Sequence, residues 1–138
     1  MSDNLEHLPA YAGVHAALGI SVVSASKDKV VVQVPVTEKV HQPYGILHGG
    51  VSVVLAESAA SMGAAIAAGP DFIAMGTDIN ASHLRSISSG ILTATAVPLR
   101  VGRTMQVWNI DLTDDQGRLI CVSRCTVAIR PVSASRPE

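Results

Sequence analysis

Residues 40–70 read VHQPYGILHGGVSVVLAESAASMGAAIAAGP. Between Lys39 and Asp71 this stretch carries one formal charge, Glu57. From Gly49 to Ala68 nearly every other residue is Ala, Val, Gly, Leu, Ile, Met or Ser. The composition predicts one long helix, stopped by Gly69 and Pro70. A helix that is apolar all round is normally buried, and an ionised carboxylate inside it is costly unless compensated. Glu57 is therefore either a structural group satisfied by partners from elsewhere in the chain, or a group kept for chemistry.

Outside this helix the pattern is that of strands. Ile20 to Ala25 and Lys29 to Val36 read as a hairpin with Ser26, Lys27 and Asp28 at its turn. Phe72 to Arg85 is a long extended run that ends at the turn Ser88-Ser89-Gly90. Ile91 to Val101 alternates, with Pro98 marking an edge or a bulge. Thr104 to Thr113 and Arg118 to Arg130 follow, separated by the turn Asp114-Asp115-Gln116-Gly117. Neighbours joined by short turns predict an antiparallel sheet. The one sizeable apolar helix available to cover it is Gly49 to Ala68. The fold class expected is α+β, a curved antiparallel sheet wrapped around one central helix.

The chain is expected to be one domain over residues 1–138, with 1–9 and 132–138 flexible. A short helical segment is expected between Ala10 and Leu18. The formal net charge of −1 provides no basic patch for nucleic acid. No apolar run is read as reaching the length of a bilayer span. The acidic start MSDNLEHLPAY lacks the order of a signal peptide, so a cytoplasmic location is expected. Cys121 and Cys125 sit four apart on one strand, roughly 13 Å from each other. That is too far for a disulfide, and no nearby His completes a metal site. Both read as small core hydrophobes.

The residues that suggest chemistry are Gln42, His48, Gly49, Gly50, Glu57 and Ser61. Two glycines at a helix start leave backbone N–H groups open to close approach. Those donors and the helix dipole favour a developing oxyanion, although Gly49-Gly50 would equally permit tight packing. Glu57 and Ser61 share a helix face. The Ser61 hydroxyl can hold a water against the carboxylate or bond back to its own helix. Gly50 and Glu57 lie about 10 Å apart along the axis, so one helix cannot bring both to one carbonyl. Two antiparallel copies can, which favours a symmetric dimer.

The segments QPYGILHGGVSVVLAES, NASHLRSISSG and GRTMQVWNIDLTDDQGRL resemble the hotdog-fold acyl-CoA thioesterases. The likeness runs from about Val36 to Pro131. It is strongest to the branch with a helical Glu, which holds hydroxybenzoyl-CoA thioesterases and the thioesterases of menaquinone and enterobactin pathways. The branch with an Asp before the helix is not matched, because Gln42 stands in that region. The Asp/His pattern of hotdog hydratases is also missing.

The resemblance implies hydrolysis of an acyl-CoA, an aryl-CoA or similar small acyl-CoA, without metal or cofactor. It implies that Glu57 acts as nucleophile or general base and that an amide of Gly49 or Gly50 polarises the thioester carbonyl. Gln42 and His48 would support that site, and Ser61 would orient water. Tyr44 would line the acyl pocket. Asn80, His83, Arg85 and Ser86 would meet the coenzyme A arm, with Arg85 first and Arg103 second as phosphate ligands. It also implies a homodimer at least, with a dimer of dimers forming a homotetramer. The alternative is a non-catalytic hotdog module that binds acyl-CoA or regulates a partner.

Overall fold

The computed structural model describes residues 13–134. A short helix α1 (Val14–Leu18) precedes the hairpin β1 (Ser21–Ala25) and β2 (Val30–Pro35). Ser26 closes that hairpin by accepting the Asp28 and Lys29 amides on its hydroxyl. The long helix α2 (Gly49–Ala68) follows, then β3 (Phe72–His83), β4 (Ile91–Val101), β5 (Met105–Thr113) and β6 (Leu119–Pro131). The element boundaries expected from Gly, Pro and Asp punctuation hold to within a residue or two. Expected flexibility at 1–9 lies outside the described residues, as do 135–138. Residues 132–134 form a helical turn, and the Val132 amide donates to the Asp71 carbonyl at 3.0 Å.

The six strands form one antiparallel sheet in the order β1-β2-β4-β5-β6-β3. This corrects the expectation that sequence neighbours pair through short turns. β3 does not pair with β4. It lies at the edge beside β6, and residues 84–90 cross the end of the sheet to start β4 beside β2. The crossing is held by backbone bonds from Leu84 to Ile120 and from Leu47 to Ile87. Pro98 sits at a register shift in β4, beyond the last residue paired with β2, where its missing N–H costs no ladder bond.

Helix α2 packs across β2 to β6. Val51, Leu55, Ala59 and Met62 face the sheet and are buried, together with Val32, Leu92, Ala94, Ile110, Leu112 and Val127. Cys121 and Cys125 are free thiols within this core, as expected. By length and composition α2 is apolar enough to cross a bilayer, contrary to the reading that no run is long enough. Its role in this fold is nevertheless that of a core helix, with one side taken up by the sheet. The rest of the helix surface, including Val53, Val54, Glu57, Ser58 and Ser61, is only half-buried, with Glu57 at the flank that meets the edge strand β3. The all-round burial expected from composition is thus not achieved within one chain.

Trp108 fixes the distance between helix and sheet. Its ring is fully buried, its Nε1–H donates to Gln106 Oε1 at 2.8 Å, and Gln106 Nε2 donates to the Ala64 carbonyl at 3.2 Å. A Cβ on Gly63 would come 2.4 Å from the indole Cη2. Gly63→Ala is therefore expected to destabilise the fold. Overpacking costs about 1–3 kcal/mol, only partly offset by about 1 kcal/mol of helix propensity. Urea unfolding checks this, and a higher midpoint for the variant would contradict it.

Candidate active site

The start of α2 is built by a tight loop. Residues 41–47 fold back on themselves, with His41 bridging Leu47 and the Gln42 amide donating to the Ile46 carbonyl at 2.8 Å. Gly45 makes the reversal possible with φ of 78°. The Tyr44 amide donates to Gln42 Oε1. That fixes the carboxamide and leaves its NH2 as the donor end.

His48 caps the helix. Its Nδ1 accepts the Gly50 amide at 2.9 Å, which places the ring proton on Nε2. Gly50 thus spends its N–H on the cap, which narrows the expectation that either glycine amide could polarise a carbonyl. The remaining candidate is Gly49, a first-turn donor that no intrahelical acceptor can reach. The His83 ring lies against Gly49 so closely that a Cβ there would come 2.9 Å from His83 Nε2.

A cavity of about 380 Å3 opens at this point. Gln42 and Gly49 from the helix start line it, together with His83, Arg85 and Ser86 from the end of β3 and the crossing segment. Five of the expected site residues are thereby brought together from two distant parts of the sequence. Ser52, which the sequence reading did not single out, also lines it and is buried without a hydrogen-bond partner for its hydroxyl.

Other expected residues lie elsewhere. Tyr44 is 89% exposed, so it does not line this cavity; its backbone braces the loop. Asn80 pairs with exposed Arg124, whereas His83 pairs with buried Cys121, so the two project from opposite faces of β3. Arg103 is exposed in the turn between β4 and β5. That turn adjoins Gln106, which bonds to Ala64 late in α2, so Arg103 belongs to the end of the helix away from the cavity.

Glu57 is also outside the cavity. It is half-buried, on the open side of α2, with its carboxylate against Gly76 in the edge strand β3. Burial, then the nearby Glu57 and Asp78 carboxylates, push the Cys125 thiol on β6 up to about 11. A thiol held protonated in this way is a poor nucleophile at neutral pH. Among the described residues no group of three His, Cys, Asp or Glu is placed to hold a metal ion.

Helix α1 adds a contact that sequence reading missed. Buried His15 places Nε2 2.7 Å from the Ser58 hydroxyl, on the open side of α2 beside Glu57. Burial lowers the pKa of His15 from its ordinary value of 6.5. The unfolded chain then binds a proton that the folded chain resists, so stability present above about pH 6.5 is lost as pH falls through the lower folded value. The melting temperature is expected to drop between pH 7.5 and 5.5, and to drop less in His15→Ala. Equal drops would contradict this.

Comparison with known proteins identifies the class. The profile described as "Thioesterase superfamily" matches residues 44–121. A 1,4-dihydroxy-2-naphthoyl-CoA hydrolase of Listeria monocytogenes is 55% identical over 118 residues, covering 86% of this chain and 96% of the relative. A proofreading thioesterase, EntH, of Cronobacter turicensis is 39% identical, covering 81% of this chain and 82% of the relative. The crystal structure of a thioesterase from Haemophilus influenzae superposes with a TM-score of 0.85 at 38% identity, covering 88% of this chain and 85% of that one. The chain belongs to the thioesterase superfamily. It has the hotdog fold, a six-stranded antiparallel sheet around one long helix, and it is a thioester hydrolase.

Proposed function

We propose that the protein hydrolyses an aryl-CoA or similar small acyl-CoA to the free acid and coenzyme A, at a site shared by two chains. The observation that carries this is the separation of the two halves of the site. The cavity at the start of α2 holds Gln42, Gly49, His83 and Arg85, and Glu57 lies outside it. Gly50 and Glu57 are about 10 Å apart along the helix. A second chain packed with its α2 antiparallel to the first supplies Glu57 to this cavity. The half-buried side of α2 and the free edge of β3, with Phe72 and Met75 exposed, supply a surface for such a partner. The sheets would run on across that edge, and two dimers would pair into a tetramer.

In this reading the Gly49 amide and the helix dipole polarise the thioester carbonyl. Gln42, through its NH2, and His48, through the cap, hold that end of the site. Glu57 from the partner either attacks the carbonyl carbon or takes a proton from the attacking water, which Ser61 orients. By either route a C–O bond forms and the C–S bond breaks. Water supplies hydroxyl to the acid and a proton to the thiol, so no metal or cofactor is required. The name of the 55% identical relative supports an aryl acyl group. The free thiols of Cys121 and Cys125 suit a reducing compartment such as the cytoplasm.

Arg85 lies exposed at the rim of the cavity, where a guanidinium can meet phosphate. Arg85→Ala is expected to raise KM for CoA esters more than it lowers kcat, as for binding shared by ground and transition states. Comparing an acyl-CoA with its truncated pantetheine thioester checks the phosphate site. Equal KM values in the wild type would contradict it. A thiol-release assay with benzoyl-CoA and fatty acyl-CoAs tests the whole reading, which predicts the highest kcat/KM for the aryl ester. Stoichiometric binding without turnover would favour the non-catalytic module instead.

A further inference from the structure

Strand β3 contains an irregularity between Gly76 and Asp78. Gly76 pairs with Val127 and Asp78 pairs with Thr126, so Thr77 is an extra residue without its own partner in the ladder. The Thr77 hydroxyl donates to the Thr126 carbonyl at 3.2 Å and pins the bulge. Before it, Ala74 and Gly76 pair with buried Ile129 and Val127 and face the helix. After it, Ile79, Ala81 and His83 pair with buried Cys125, Ser123 and Cys121 and take over that face. A shift of one residue inverts which side chains point inward. One bulge thus lets Gly76 meet Glu57 and His83 meet Gly49 on the same face of one strand.

Glycine at position 76 is not demanded by the backbone, because its φ is not positive. What it supplies is room. A Cβ there would come 2.6 Å from Glu57 Oε2, 3.0 Å from Cδ and 3.1 Å from Cγ. These atoms form the far end of a flexible side chain, so a methyl group would displace the carboxylate rather than the fold. We infer that Gly76, presented by the Thr77 bulge, is a positioning residue that sets where the Glu57 carboxylate stands for thioester attack. The inference rests on the reading of Glu57 as the reacting group.

The test is a double-mutant cycle on benzoyl-CoA hydrolysis with Gly76→Ala, Glu57→Asp and the two combined, alongside Glu57→Ala. Gly76→Ala is expected to lower kcat by on the order of tenfold or more, since small displacements of a reacting group are costly. KM should stay within about twofold, as expected when only a transition-state interaction is lost. Glu57→Asp retracts the carboxylate by one methylene and clears the added methyl. It should therefore cost less in the Gly76→Ala background than in wild type, a coupling that a merely structural glycine would not show. Wild-type kcat in Gly76→Ala while Glu57→Ala is inactive, or strictly additive losses, would overturn the inference and leave the role of Glu57 standing. Full activity in Glu57→Ala would instead overturn both. Should Gly76→Ala fail to fold, Gly76→Ala combined with Glu57→Ala is expected to fold, because the colliding carboxylate is gone. Its failure to fold would also overturn the inference.

Discussion

Glu57→Ala is expected to lower kcat for a CoA thioester by on the order of a hundredfold or more, because it removes the general base or nucleophile. The chain should still fold. Glu57 is half-buried on the open side of α2, among Val53, Val54, Ser58 and Ser61, and truncating it opens no hole in the sheet-facing core. Far-UV circular dichroism and thermal melting separate the two effects. A folded variant with activity within a few-fold of wild type would remove Glu57 from the chemistry. Asp78, the other carboxylate near Cys125, does not replace Glu57: it follows the bulge on the outward-facing register of β3, paired with Thr126.

The central helix was legible because its composition changes abruptly. Uncharged small residues begin at Gly49, after His48, and stop at Gly69-Pro70, and the helix has those bounds. The strand order was not legible. Residues 84–90 are long enough to cross the sheet end as well as to close a hairpin, and which occurs depends on packing over α2. Gly76 carried a readable hint, since an isolated glycine in a strand suggests a bulge or a close backbone approach. The identity of its neighbour, Glu57, is a tertiary fact.

Site residues divide along the same line. That Gln42, His48, Gly49 and Gly50 cluster at the helix start was readable because a local turn and a helix cap fix them. His83, Arg85 and Ser86 reach the cavity through the crossing segment. Asn80 lies outside this cavity because the alternation of side chains along β3 turns it outward, and Tyr44 lies outside it because the loop uses its backbone and leaves its ring exposed. His15 was missed because nothing near it in sequence marks it; Ser58, its partner, lies 43 residues away.

The second large effect is a recovery of activity, and it bears on the shared site directly. Gln42→Ala and Glu57→Ala chains are each expected to be nearly inactive as homo-oligomers. In a mixed dimer, Glu57 from the Gln42→Ala chain meets Gln42 from the Glu57→Ala chain, which rebuilds one intact site and leaves the other doubly defective. Random exchange of equal amounts makes half the dimers mixed, so recovery to about one quarter of wild-type kcat is expected for a two-fold symmetric pair. Subunit exchange is verified by native mass spectrometry before activity is read. Recovery near that fraction is the result that a site built from two chains predicts. Two inactive parents that stay inactive after complete exchange would contradict it.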